Sequence, residues 1–243
     1  MASNFHYLLI GNTRLHWAIK VGDQYKFNHS KIDNPLSNKI NINNLIWASV
    51  GNYDTNVFKK ENELKIEDIN LKNFPSHFGI DRALASFAAL KIAKNPFKKN
   101  MVIADFGTTL SITKINSDGE LIGGQIIPGF QTQLKSMVLN TRNLEMPNDF
   151  KIPKDNFLID TQKAMIKGVI NSLFGAVKLA FNQDEDILII CGGDTEIITP
   201  NFLKETQILI NPNLVMEGMV MYYEKRLNFK KEVYQLKFKS EII

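Results

Sequence analysis

Apolar residues fall into two kinds of run along this chain. Short runs closed by glycine or a polar turn read as strands, and runs with apolar positions three and four apart read as helices. His6-Tyr7-Leu8-Leu9-Ile10 and Leu15-His16-Trp17-Ala18-Ile19-Lys20-Val21 predict two strands, joined at Gly11-Asn12-Thr13 and followed by a Gly22-Asp23 turn. Residues 31–44 are polar and broken by proline, a connecting loop or short helix. Leu45 to Val50 predicts a buried strand ending at Gly51-Asn52, residues 59–66 a helix, and residues 69–74 a short strand or loop. Leu84, Phe87, Ala88 and Lys91 stand at helical spacing, so Ala83 to Ala93 predicts a helix. Asp81 falls at or near its N-terminus, where an acid often does no more than cap.

The second half repeats the opening layout. Met101-Val102-Ile103-Ala104 predicts a buried strand; Asp105-Phe106-Gly107-Thr108-Thr109 follows, then a strand over 109–115 and an Asp118-Gly119 hairpin turn. Small residues let backbone N–H groups approach a phosphate, hydroxyls add donors, and the acid can hold a cation. The same composition also suits an ordinary turn. Aligning Gly11 with Gly107 aligns Thr13 with Thr109 and Gly22-Asp23 with Asp118-Gly119, and it sets Leu9 opposite Asp105. Such a duplication predicts two similar α/β domains, 1–100 and 101–243, facing a shared cleft with one phosphate turn each. That plan resembles the duplicated, ribonuclease H-like fold of the actin-like ATPases. Further on, residues 123–129 read as strand end and loop, 130–139 as a helix and 140–160 as a surface loop. Residues 161–181 predict a helix capped by Thr161. Residues 186–191 predict a strand ending in Gly192-Gly193, and 202–205 and 215–227 the last helices.

Composition narrows the class. The chain has 243 residues, 44% apolar and 22% charged, ordinary for a globular protein of two modest domains. A net charge of +4 gives nucleic-acid binding only weak support, since the basic residues near the C-terminus (Lys225, Arg226, Lys230, Lys231, Lys237, Lys239) suit a solvated face. No apolar stretch reaches the roughly 18 residues of a spanning helix, and the N-terminus lacks the pattern of a signal peptide. Cys191, the one cysteine, has no internal disulfide partner and stands at a strand end as a small core residue. The expected location is cytoplasmic, with neither membrane nor nucleic acid as partner.

Seven blocks in order carry a more specific resemblance. They are Gly11-Asn12-Thr13-Arg14, Gly79-Ile80-Asp81-Arg82, Asp105-Phe106-Gly107-Thr108, Gly123-Gly124 with Ile127-Pro128-Gly129, Thr161-Gln162-Lys163-Ala164-Met165 with Gly168, Gly192-Gly193-Asp194, and Asn211-Pro212-Asn213-Leu214 with Gly218. In these the chain, from about residue 7 to 223, resembles the type III pantothenate kinases. The resemblance implies transfer of the γ-phosphoryl of ATP to the primary hydroxyl of pantothenate, the first step of coenzyme A biosynthesis. It implies that Ile10, Gly11, Asn12, Thr13, Arg14, Leu15 and His16 cradle ATP phosphates, with Thr108 from the second domain. It implies that Asp105 holds a monovalent cation, K⁺ or NH₄⁺, and that Mg²⁺ accompanies ATP. Gly79, Ile80, Asp81 and Arg82 match the pantothenate site, with Asp81 as the base and Arg82 as partner of the substrate carboxylate. Thr161 matches a pantothenate contact reached across a homodimer interface.

Two positions depart from the family pattern. Leu9 stands where the family's first turn carries an acid, and Lys72, ahead of Pro75, stands where it carries an aromatic residue. These departures keep a second reading open, a weakened or inactive relative that binds nucleotide or pantothenate as a regulatory protein. Joint survival of Asp81, Arg82, Asp105 and Thr161 favours the active kinase. Nucleic-acid binding, a third reading, would show as salt-sensitive binding without ATP.

Overall fold

A computed structural model describes residues 5–32, 42–51, 53–93, 95, 97–198 and 208–225. In chain order its main elements begin with β1 (His6–Ile10), β2 (Arg14–Val21), β3 (Gln24–Lys31), β4 (Leu45–Ser49) and α1 (Ile80–Ile92). There follow β5 (Asn100–Phe106), β6 (Thr109–Ile115), β7 (Leu121–Pro128), α2 (Phe130–Asn140) and α3 (Thr161–Ala180). The last are β8 (Asp186–Cys191), the single turn α4 (Thr195–Ile198), β9 (Ile208–Ile210) and a helix over residues 214–225, α5. Contacts divide the chain into one unit of Met1–Lys91 with Leu214–Ile243 and another of Ile92–Asn213. The segment from Leu214 groups with the first unit.

In the first unit, β1, β2 and β3 form an antiparallel meander and β4 pairs parallel with β1, giving the order β3-β2-β1-β4. Gly22 makes the two-residue turn between β2 and β3 with φ 64, a conformation that costs glycine little. β1 is buried on both faces, which explains its unbroken apolar run. Tyr7 and Leu9 enter a cluster with Ala48 of β4, Leu84 and Phe87 of α1, and Met216 and Met219 of α5. Leu8 and Ile10 enter another with Leu15, Trp47 and Phe58. Gly218 lets α5 approach α1 closely, because a Cβ there would stand 2.2 Å from the Leu84 carbonyl oxygen.

The second unit repeats the meander as β5, β6 and β7, with β8 and β9 added parallel, in the order β7-β6-β5-β8-β9. Val102, Ala104 and Phe106 of β5 pack with Phe130 and Leu134 of α2 and Val169, Ile170 and Leu173 of α3. Asp186, fully buried, is tied to Lys114 at 2.9 Å and accepts from the Asn182 N–H at 2.8 Å, joining β6 to the start of β8.

Four expectations are corrected. Residues 59–66 are not one helix but two 3₁₀ turns, Lys60–Asn62 and Ile66–Asp68, because Leu64 donates its N–H to Trp47 of β4 and Trp47 Nε1 donates to the Lys59 carbonyl. That backbone is engaged by a strand edge and is not available to a helix. Residues 123–129, expected as a strand end and loop, are strand as far as Pro128 within β7, since β6 offers them an antiparallel ladder. The cap of α3 is Asp160, whose Oδ1 accepts from the Lys163 N–H at 2.8 Å, and Thr161 is the first helical residue. The turns after β1 and β5, expected to be equivalent, differ in length: Ile10 pairs with Leu15, whereas Phe106 pairs with Leu110. The helix expected over 202–205 and the basic residues from Arg226 onward lie outside the described residues.

Candidate active site

The first turn is closed by one backbone bond, from Gly11 N–H to the Arg14 carbonyl at 2.9 Å. The second is closed by the corresponding bond from Gly107 N–H to the Thr109 carbonyl at 3.1 Å. Arg14, not Thr13, is therefore the structural counterpart of Thr109. Asn12, Thr13 and Arg14 are exposed at the tip, Ile10 and Leu15 are buried beneath it, and His16 is half-buried. His16 stands across from His29 in the β2–β3 ladder, with Nδ1 to Nδ1 at 2.7 Å. A Cβ on Gly11 would lie 3.5 Å from His16 Nε2, so this imidazole backs the turn. Burial above all, then His29 and Arg14, push the His16 pKa down to about 4, which keeps the ring neutral near pH 7. Gly51 lets β4 end against the same turn, since a Cβ there would stand 3.2 Å from Asn12 Oδ1.

Around Asp105 the backbone is crowded by design of sequence. A Cβ on Gly129 would stand 2.0 Å from the Gly107 carbonyl oxygen. The Thr108 carbonyl accepts from Gly129 N–H at 3.0 Å and from Thr132 Oγ1 at 2.6 Å. A Cβ on Gly192, where φ is 97, would stand 2.4 Å from Asp105 Oδ1 and 2.3 Å from the Phe106 carbonyl oxygen. Asp194 N–H donates to that carbonyl at 3.0 Å. The half-buried Asp105 carboxylate thus lies close against the Gly192 backbone, and a carboxylate is a hard oxygen donor of the type that suits an alkali cation. Asp105 and Thr108 both belong to the second unit. Leu9, at the register position matching Asp105, instead lies 5% exposed in the apolar cluster of the first unit.

The Gly79-Ile80-Asp81-Arg82 block opens α1. Ala83 N–H donates to the Gly79 carbonyl at 3.1 Å, and Asp81 lies in the first turn, where the helix dipole favours an anion. Its carboxylate folds back over Gly79: a Cβ there would stand 2.5 Å from Asp81 Oδ1. The same oxygen accepts from the Arg82 N–H at 2.8 Å. Asp81 keeps some exposure to solvent, yet burial pushes its carboxyl above the ordinary value, against the opposing pull of the Arg82 N–H and guanidinium. The Arg82 guanidinium lies 3.9 Å from the centre of the Phe78 ring. Ile80 is buried and anchors the block. Lys72 is exposed, one residue before Asn73, which adopts φ 60.

Thr161 is exposed at the first position of α3, in the second unit with Asp105 and Thr108. Asp81, Arg82 and the first turn belong to the first unit. Sequence reasoning did not single out His29 or Phe78. A strand register would have found His29, and the four-residue spacing from Phe78 to Arg82 was a visible signal. Among the described residues, no group of three His, Cys, Asp or Glu could hold a metal ion.

Two units that each join an antiparallel meander to parallel strands make this a mixed α/β protein of the actin-like ATPase and sugar kinase fold. A crystal structure described as a conserved Baf family transcriptional activator from Campylobacter jejuni superposes with TM-score 0.67 at 20% identity, over 92% of this chain and 100% of that one. The activator of 2-hydroxyisocaproyl-CoA dehydratase from Clostridium difficile, with bound ADPNP, superposes with TM-score 0.50 at 11% identity, over 94% and 97%. These likenesses show the fold. The family model for type III pantothenate kinase matches residues 52–183. A type III pantothenate kinase from a Synechocystis species is 32% identical over 231 residues, 87% of each chain. The chain belongs to the type III pantothenate kinase family.

Proposed function

We propose that this chain is a pantothenate kinase that transfers the γ-phosphoryl of ATP to the primary hydroxyl of pantothenate, the first step of coenzyme A biosynthesis. The observation that carries the reading is the Gly79–Arg82 block. It joins, at one helix start, a carboxylate whose proton affinity is raised by burial and an arginine suited to a carboxylate. In the transfer, the substrate hydroxyl gives its proton to Asp81 as its oxygen bonds phosphorus and the bond from phosphorus to the ADP oxygen breaks. A raised carboxyl pKa makes Asp81 a better acceptor than an exposed aspartate, and a positioned base contributes about 10²–10⁴-fold. Arg82 takes the pantothenate carboxylate. The backbone and side chains of residues 10–16, with Thr108, take the ATP phosphates.

Asp105 would hold K⁺ or NH₄⁺, whose charge offsets that of the phosphates. Mg²⁺ would arrive on ATP, since Leu9 offers no ligand. The same reading places the protein in the cytoplasm, and among the described residues no helix is long and apolar enough to cross a membrane. It makes the protein a homodimer in which Thr161 contacts pantothenate in the partner's site; light scattering that finds only monomer overturns that part. Purified protein with Mg-ATP and pantothenate, with and without K⁺, tests the whole. K⁺-dependent 4′-phosphopantothenate is the expected product, and its absence under both conditions overturns the proposal.

A further inference from the structure

Arg82 is held by more than its backbone. Its guanidinium lies over the Phe78 ring at 3.9 Å, and Phe74 meets Phe78 edge-on with centroids 4.9 Å apart and planes at 81°. Both rings pack against the apolar cluster beneath α1, so neither turns freely. An arginine stacked on a ring is held through the face of its guanidinium, and its in-plane N–H edges remain the surface that matches a carboxylate. A long side chain loses rotamer freedom when it binds, and a ring against the guanidinium face removes part of that freedom beforehand.

We infer that Phe78, braced by Phe74, is a positioning residue that holds the Arg82 guanidinium flat for an anionic substrate. It sets affinity for the substrate carboxylate rather than the rate of transfer. The inference rests on the reading of Arg82 as the partner of the pantothenate carboxylate. A leucine at position 78 fills similar space without a π face, whereas tyrosine keeps the face.

The test compares the natural protein with Phe78→Leu and Phe78→Tyr. It measures kcat and KM for pantothenate at saturating Mg-ATP and K⁺, with calorimetric Kd for pantothenate on the same three proteins. Phe78→Leu should raise KM and Kd roughly three- to thirtyfold and leave kcat within about twofold. Phe78→Tyr should stay close to the natural protein. An unchanged KM in Phe78→Leu, equal rises in both variants, or a loss confined to kcat overturns the inference. If the natural protein binds pantothenate without turning it over, the kinase reading fails while the ranking of Kd values still decides the role of Phe78. If it does not bind pantothenate, both fail.

Discussion

Restoring the acid that the family pattern places at position 9 should harm this protein. Leu9 is 5% exposed and packs among Tyr7, Ala48, Leu84 and Met219, none of which offers a charge partner. Leu9→Asp first forfeits the burial of a leucine side chain, about 1.5–3 kcal/mol. It then sets a carboxylate among apolar groups, and the folded protein can keep it only by protonating it. Holding an aspartate of ordinary pKa neutral at pH 7 costs up to about 4 kcal/mol. Taken at that upper value, the sum of about 5.5–7 kcal/mol approaches the whole stability of many domains. Both tryptophans, Trp17 and Trp47, lie in the same sheet as Leu9, so urea unfolding followed by tryptophan fluorescence reports on this unit. Leu9→Asn loses similar apolar contact without the charge, and isolates the second contribution. The introduced carboxyl has a higher pKa folded than unfolded. Its extra deficit over Leu9→Asn should therefore be largest at pH 7 and close as pH falls toward 4. A Leu9→Asp protein within about 1 kcal/mol of the natural one at pH 7, or with the same pH response as Leu9→Asn, would refute the reasoning.

Asp81→Asn should abolish most turnover, by about 10²–10⁴-fold, yet leave the protein at least as stable at pH 7. The natural carboxyl has a raised folded pKa, so its ionisation works against the fold as pH rises; a lower melting temperature for the variant at pH 7 would contradict this. Gly192→Ala forces a Cβ within 2.4 Å of Asp105 Oδ1 at φ 97, at a backbone cost of about 1–3 kcal/mol. Its activity should lose K⁺ dependence before the fold is lost, as a K⁺ titration beside a thermal melt would show. The depressed pKa of His16, about 4 against 6.5 unfolded, means that its contribution to stability is present above pH 6.5 and lost as pH falls toward 4. His16→Gln should flatten that part of the stability–pH curve, and an unchanged curve counts against the buried neutral ring.

The fold was legible because its signals are local and repeated. Each meander announces itself by an apolar strand, a glycine turn, a second strand and a second turn, and the strands β1, β2, β5, β6 and β8 form at or near the expected residues. The failures have one cause, competition for backbone partners. Residues 59–66 lack a helix because β4 takes the backbone at Leu64, and residues 123–128, expected as a strand end and loop, continue as strand because β6 offers an edge. Neither partner is visible within the segment itself.

For the site, the family resemblance pointed to Asp81, Arg82 and Asp105, which spacing alone does not mark. What surrounds them is a property of three dimensions. Gly129 and Gly192 are needed because a Cβ at each would stand within 2.3 Å of a backbone carbonyl oxygen, and a Cβ on Gly79 would displace the Asp81 carboxylate. Composition alone reads them as turns. The duplication itself shows the same limit. Aligned glycines imply that Leu9 replaces an acid in an otherwise equivalent turn, yet the first turn spans one residue more than the second, and its strand is buried on both faces. The two turns have therefore diverged in structure as well as in one side chain. Leu9 is a core residue of its own unit, and under the proposed function any phosphate contact from that turn would come from its backbone, Asn12, Thr13 and Arg14.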